Sequence, residues 1–295
     1  PPDCDSDPSA SRTILDRIEV SSTVSEKRDK ILCFMMTHDG SHRTKVTTVL
    51  ETWGSKCDGW LIASNTTDEA LGTTAMQTPA EYTKLWMKLN ETVHLIASQF
   101  LDDYDWFFKV DDDTFVIMEN LWHFLSIKKK DQEIPQIFGY LLTDQFWRDQ
   151  RVYFDIESNK GFGNYFLSHV RNESDHVDYL AGGSGYIMNR VYLRKLIVAL
   201  ESNLTLYGKV PEDMAHGATM LAHGIQPGNS RDKAGREYFI PESPALWNVR
   251  HQVRIRTGVI PSNQQCCAYY TVSFHHLSPW MMQYLHDQFY LCRTV

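Results

Sequence analysis

The chain has 295 residues, of which 42% are hydrophobic, 12% aromatic and 22% charged, an ordinary globular composition long enough to bury a substantial core. Its formal net charge of −8 argues against a broad nucleic-acid-binding face and leaves room only for a local basic pocket. No apolar run reaches the roughly 18 residues that a membrane span needs, so attachment to a membrane is expected only through an N-terminal anchor upstream of Pro1.

Residues 1–29 are rich in Ser, Asp and Pro and read as a stem or linker. KILCFMMT (30–37) is a short apolar run closed by the turn-rich HDGSH, which predicts a buried strand. RTKVTTVLETW (43–53) carries helical apolar spacing and stops at Gly54. GWLIA (59–63) predicts the next strand. Over 79–100, Leu85, Trp86, Leu89, Val93, Ile96 and Ala97 recur at helical spacing, and WFFKV (106–110) is again strand-like. This alternation predicts an α/β fold with a mostly parallel sheet. Further on, 178–200 reads as strand, glycine turn, strand and helix. Residues 30–295 are expected to form one domain, with a nucleotide-binding half over about 30–118 and an acceptor half over about 119–295.

In open α/β sheets ligands sit beyond the carboxyl ends of the strands, and there stand Asp111, Asp112 and Asp113, in WFFKVDDDTFVIM. Extended backbone would put Asp111 and Asp113 on one face and Asp112 on the other. Two neighbouring carboxylates in a partly buried place repel unless one takes a proton or a cation neutralises them. The apolar flanks argue against a solvated acidic turn, and a divalent metal completed by phosphate oxygens and water fits the pair. Asp112 is left for another task, with a nucleotide ribose as a candidate.

WFFKVDDDTFV resembles the DxD element of the inverting β1,3-glycosyltransferases of GT-A fold, and within them the core 1 β1,3-galactosyltransferase group. ILCFMMT, LWMKLNET, YLAGGSGYIM, PEDMAHG, GNSRDKAGREYF and CCAYYTVSFHHL follow in the order that this family shows, over most of residues 30–280. The resemblance implies a manganese-dependent transfer of galactose from UDP-galactose to GalNAc linked to Ser/Thr of glycoproteins, in the Golgi lumen, by a type II membrane protein that forms homodimers. It implies a third metal ligand in SFHH, matching His275, with His276 as the alternative. Neutral imidazole beside carboxylate oxygen suits manganese.

Inverting transfer also needs a base for the acceptor hydroxyl. Acids in the first turn of a helix complement its dipole, which alone would explain Glu212 and Asp213 in PEDMAHG. The resemblance makes the second acid the general base, hence Asp213, with Glu212 as support or alternative. It places Gly182, Gly183 and Gly185 at the sugar site, with Tyr186 as a wall. Thr37, at the end of the first strand, is a candidate uridine contact, and Lys88 a candidate for the diphosphate. Arg231 and Asp232 match another motif of the family and are expected in a structural ion-pair or hydrogen-bond role rather than a catalytic one.

Six cysteines, at 4, 33, 57, 266, 267 and 292, form no CxxC pair, which argues against structural zinc. Together with sequons at Asn65, Asn90, Asn172 and Asn203 they predict a secretory-pathway protein with disulfides. A Cys33–Cys57 bridge between neighbouring strands is expected. Vicinal Cys266 and Cys267 cannot easily bridge each other, so one is expected to pair with Cys292, leaving the other for Cys4 or free. Two stretches depart from the core 1 pattern, a longer segment between Tyr140 and Leu180 and the segment from Val253 to Gln265. LTLYGK and GATMLAH lack a pair of cysteines that the resembled enzymes usually carry.

Overall fold

A computed structural model of the chain describes residues 14–23, 25, 27–129, 132–142, 179–202, 211–256 and 266–293. β1 (Ile31–Met36) is buried at all six positions, as a strand covered on both faces must be. Its alternate side chains divide between two cores. Ile31, Cys33 and Met35 face one, and Leu32, Phe34 and Met36 the other. β1 pairs in parallel with β2 (Gly59–Ser64) and β4 (Trp106–Val110), and β2 pairs in parallel with β3 (Thr73–Ala75). The six-stranded sheet, in the order β3-β2-β1-β4-β9-β6, is completed by β6 (Ile137–Gly139) and the antiparallel β9 (Tyr186–Asn189). The mixed α/β architecture and the mostly parallel left half agree with the fold expected from the sequence.

Helices cover both faces. After a π-helical turn over His42–Val46, α1 (Thr47–Glu51) follows β1. α2 (Leu85–Gln99) packs on the Phe34 side of the sheet through Trp86, Leu89, Val93 and Ile96, as its apolar spacing predicts. α3 (Met118–Lys128) buries Leu121, Phe124 and Leu125 on the opposite side. α4 (Arg190–Leu200) and α5 (Glu212–Ala222) join α2, α6 spans Pro244–Arg256, and α7 (Pro279–Tyr290) buries Met282, Leu285 and Phe289 beside α1. β7 (Leu141–Leu142) pairs antiparallel with β8 (Tyr179–Leu180), which leads into the glycine turn.

A second, three-stranded sheet matters most for the site. β11 (Ser273–Phe274) lies parallel to β10 (Phe239–Ile240) and antiparallel to β5 (Phe115–Val116). Its register sets Phe274 opposite Phe115, so the residues after β11 run back along those before β5.

Two expectations are corrected. Part of the stretch read as linker is packed, because Ile14, Leu15 and Ile18 lie in the core. Three apolar residues inside a polar segment suffice to dock it. Cys33 and Cys57 are bridged as expected, with Cα atoms 6.1 Å apart, but Cys266 pairs with its neighbour Cys267. Cys292, also disulfide-bonded, is therefore joined to neither. Arg231 and Asp232 take the structural role expected of them, Arg231 pairing with Glu237 and Asp232 with Arg236, each at 2.6 Å. Asn65 and Asn90 are half-buried, whereas Asn172, Asn203, Cys4, the segment 143–178 and residues 257–265 lie outside the described residues.

Candidate active site

The three aspartates leave β4 in a turn rather than in extended backbone, since the Thr114 amide donates to the Asp111 carbonyl at 3.3 Å. The turn still sends Asp111 and Asp113 to one side and Asp112 to the other. Buried Thr114 anchors it by donating its hydroxyl to the Gly183 carbonyl at 2.7 Å, and the Trp53 indole donates to the Thr114 carbonyl at 2.9 Å.

The β5–β11 register brings SFHH to this turn. The Leu277 amide donates to the Asp113 carbonyl at 3.1 Å. His275 Nε2 lies 3.1 Å from Asp113 Oδ1 and 3.8 Å from Asp111 Oδ2. Asp113, His275 and His276 each offer a ligand atom, all within 4.8 Å of one another. Burial opposes ionisation of Asp113, but the His275 ring and the Lys45 ammonium outweigh it and bring its pKa to about 2. Carboxylate and imidazole at this spacing fit a first-row divalent cation, manganese among them. Partial burial and the adjacent His275 lower the pKa of His276, which favours the neutral ring that a metal needs.

Asp112 turns toward the end of β1, where Thr37 Oγ1 donates to it at 2.8 Å. Lys45, from the π-helical turn, reaches Asp112 at 3.0 Å and Asp113 at 3.4 Å. Sequence reasoning missed this lysine; the irregular turn that aims it has no signature in the apolar spacing. Lys88 is buried, its pKa is lowered by that burial, and its ammonium donates to the Thr37 carbonyl at 2.5 Å. It underpins the site from below.

Across the glycine turn stands the acidic pair at the start of α5. Glu212, 5% exposed, accepts from the Tyr186 hydroxyl at 2.6 Å and pairs with Lys109 at 3.2 Å. Lys109 is itself buried and donates to Asp111 Oδ1 at 2.7 Å. One ammonium therefore ties the aspartate turn to the acidic pair. Burial works against its charge, yet Asp111 and Glu212 hold its pKa above the ordinary lysine value. Burial raises the pKa of Glu212 against the pull of Lys109. Asp213, less enclosed than its neighbour, accepts the Gly182 amide at 3.1 Å and the Met214 amide at 2.8 Å. Its pKa is raised by burial, with the Gly182 amide and Lys109 acting against it. A carboxylate held in place with an elevated proton affinity suits a general base.

The glycines are needed for close approach. A Cβ on Gly183 would lie 1.9 Å from His275 Cε1, and one on Gly182 3.0 Å from Lys109 Nζ and 3.1 Å from Glu212 Oε2. Gly185 has φ +80°, a conformation that favours glycine. Tyr186, expected as a wall of the sugar site, is fully buried; as a β9 residue inside the sheet it holds Glu212 instead of facing a ligand. Tyr82, 75% exposed, was not singled out in the sequence. Its phenol pKa is raised by partial burial and by the charges of Asp213, Asp111 and Glu212.

A family model described as Fringe-like matches residues 26–227 of this chain. A Xenopus laevis protein named glycoprotein-N-acetylgalactosamine 3-beta-galactosyltransferase 1 is 29% identical over 265 residues, covering 86% of this chain and 64% of that protein. The chain thus spans somewhat under two thirds of that relative's length.

Proposed function

This chain belongs to the Fringe-like family, and from that premise we propose that it is an inverting β1,3-glycosyltransferase using a UDP-sugar and a divalent metal. The observation that carries the reading is the pairing of two unlike centres across Gly182 and Gly183. On one side stand Asp111, Asp113, His275 and His276; on the other stands Asp213, oriented by two backbone amides.

Asp113 and His275 would hold the metal, with Asp111 beside them. Bound there, it supplies positive charge to the departing diphosphate. Lys45 adds a second cation on the Asp112 side. Asp213 takes the proton of the acceptor hydroxyl as its oxygen bonds to the anomeric carbon, and the bond from that carbon to the diphosphate oxygen breaks. One displacement of this kind inverts the anomeric centre. Lys109 and Tyr186 hold Glu212 in place, so the base keeps a fixed neighbour.

The donor is UDP-galactose and the acceptor the 3-hydroxyl of GalNAc on Ser or Thr of a glycoprotein, a reading supported by the name of the Xenopus relative and by the motif resemblance. The Cys33–Cys57 bridge and the sequons support a lumenal setting, with the Golgi proposed. The test is a screen of UDP-galactose, UDP-glucuronic acid and UDP-GlcNAc against GalNAc-peptide and other glycans, with and without chelator. Transfer of galactose to GalNAc-peptide, abolished by chelator and by Asp113→Ala, is expected. Turnover with another donor alone would reassign the sugar, and chelator-resistant turnover would refute the metal.

A further inference from the structure

We infer, on the proposed reading of Asp213 as general base, that Tyr82 is the aromatic platform of the acceptor subsite. Its exposed ring stacks on the apolar face of the sugar whose hydroxyl Asp213 deprotonates.

Tyr82 opens the 3-10 turn Tyr82–Lys84 that leads into α2, and the Lys84 amide fixes this turn by donating to the Glu81 carbonyl at 2.9 Å. The N-terminal end of α2 stands at the carboxyl edge of the sheet, because Lys88 in its first turn donates to the Thr37 carbonyl at the end of β1. α5 starts at the same edge, where Glu212 pairs with Lys109 near the end of β4. The two helices pack side by side, and Trp86 stacks on His216 with ring centroids 6.2 Å apart. Tyr82 lies four residues ahead of Trp86, and Glu212 four ahead of His216, so each stands about one turn beyond that contact. Tyr82 is therefore level with the Glu212–Asp213 pair. Beyond partial burial, the charges that bear most on its phenol are those of Asp213, then Asp111 and Glu212. Asp213 heads that order, which sets Tyr82 on the acceptor side of the glycine turn.

A lone exposed aromatic is ordinary on a protein surface; position and exposure set this one apart. At 75% it is the most exposed large hydrophobic side chain among the described residues. It stands beside carboxylates, which when ionised offer a sugar only hydrogen-bond acceptors. A pyranose presents hydroxyls at its rim and C–H bonds on its faces. Carboxylates meet the hydroxyls, and an aromatic face, with its negative π-cloud, meets the C–H hydrogens. Gly182 and Gly183 have no side chains to supply such a wall, and Tyr186 is enclosed in the sheet. The aromatic wall expected at Tyr186 thus falls to Tyr82, on a different element.

The experiment compares acceptor and donor kinetics of the wild type, Tyr82→Ala and Tyr82→Phe, with a GalNAc-bearing glycopeptide, UDP-galactose and Mn2+. So exposed a ring can be removed without unfolding the chain, which far-ultraviolet dichroism checks. Tyr82→Ala should raise KM for the glycopeptide about three- to tenfold, while kcat and the KM for UDP-galactose hold, the pattern of lost ground-state binding. Tyr82→Phe restores the ring and should recover most of that loss. An unchanged acceptor KM in Tyr82→Ala, or a Tyr82→Phe variant as impaired as Tyr82→Ala, would overturn the inference. Proton NMR of the glycopeptide with the protein, UDP and Mn2+ needs no turnover. Saturation of the protein's aromatic protons should pass to the GalNAc ring protons in the wild type, and this signal should be lost in Tyr82→Ala. That signal in a protein that moves no galactose would sink the proposed activity alone. Turnover with a signal that survives Tyr82→Ala would sink this inference alone, and a glycopeptide that neither reacts nor gives a signal would refute the GalNAc acceptor and the platform together.

Discussion

Replacing Lys109 by Met tests whether the tie between the two halves of the site is as strong as its geometry implies. Met keeps most of the aliphatic stem and removes the charge. Lys109 is 2% exposed and Glu212 5%, so solvent screens their pair little. At an effective dielectric of about 20, unit charges 3.2 Å apart attract by about 5 kcal/mol. The contact with Asp111, a side chain 35% exposed, is discounted for screening. Desolvation of the ammonium offsets part of the attraction in the wild type, but its removal leaves Glu212 buried with only the Tyr186 hydroxyl. A loss of about 3–5 kcal/mol in unfolding free energy at neutral pH follows. The sign of the pH dependence is fixed by the same groups. Glu212 already titrates above its ordinary value, and losing Lys109 raises it further. As pH falls the carboxylate is protonated and the variant's deficit shrinks. Urea unfolding at several pH values measures this, and the double variant Lys109→Met/Glu212→Gln should recover most of the loss. A deficit below about 1 kcal/mol, or a double variant no more stable than the single, would refute the tie.

Asp213→Asn should abolish transfer while UDP binding by calorimetry is retained; loss of both would point to the donor side. In the wild type, a base whose pKa lies above 3.8 is active above that raised pKa and lost as pH falls through it, so the acid limb of kcat/KM should lie above the ordinary aspartate range, and an acid limb at or below 3.8 would count against this base. Gly183→Ala places a methyl group 1.9 Å from the His275 ring; the ring must move, and Mn2+ affinity should fall about tenfold or more, with far-ultraviolet dichroism checking that the fold persists. Removing the Cys33–Cys57 bridge, which joins residues 24 apart in sequence, by a double change to Ser should cost about 3 kcal/mol in urea unfolding.

The alternation of short apolar runs and helical spacings determined the parallel core, and it did so because period-two and period-3.6 burial leave different marks on a sequence. β1, β2, β4 and α2 fall where those marks lie. DDD at the end of a strand, acids ahead of a helix and a glycine cluster were legible as chemistry for a similar reason: such residues are out of place in apolar surroundings. Their mutual placement was not legible. That His275 meets Asp113 depends on the register of β11 against β5, two-residue strands 157 positions apart (273 less 116), too short to show periodicity. Lys109 looked like one polar residue in a core strand. Only the packing of α5 over that face gave its charge two buried partners, and the same packing turned Tyr186 from a ligand wall into a support for Glu212. That Cys292 joins neither Cys266 nor Cys267 was likewise a matter of where the folded chain brings its thiols. Local pattern determined what each segment is, and long-range register decided which side chains share a site, because contacts between distant segments follow from shape and pairing that no single window of sequence contains.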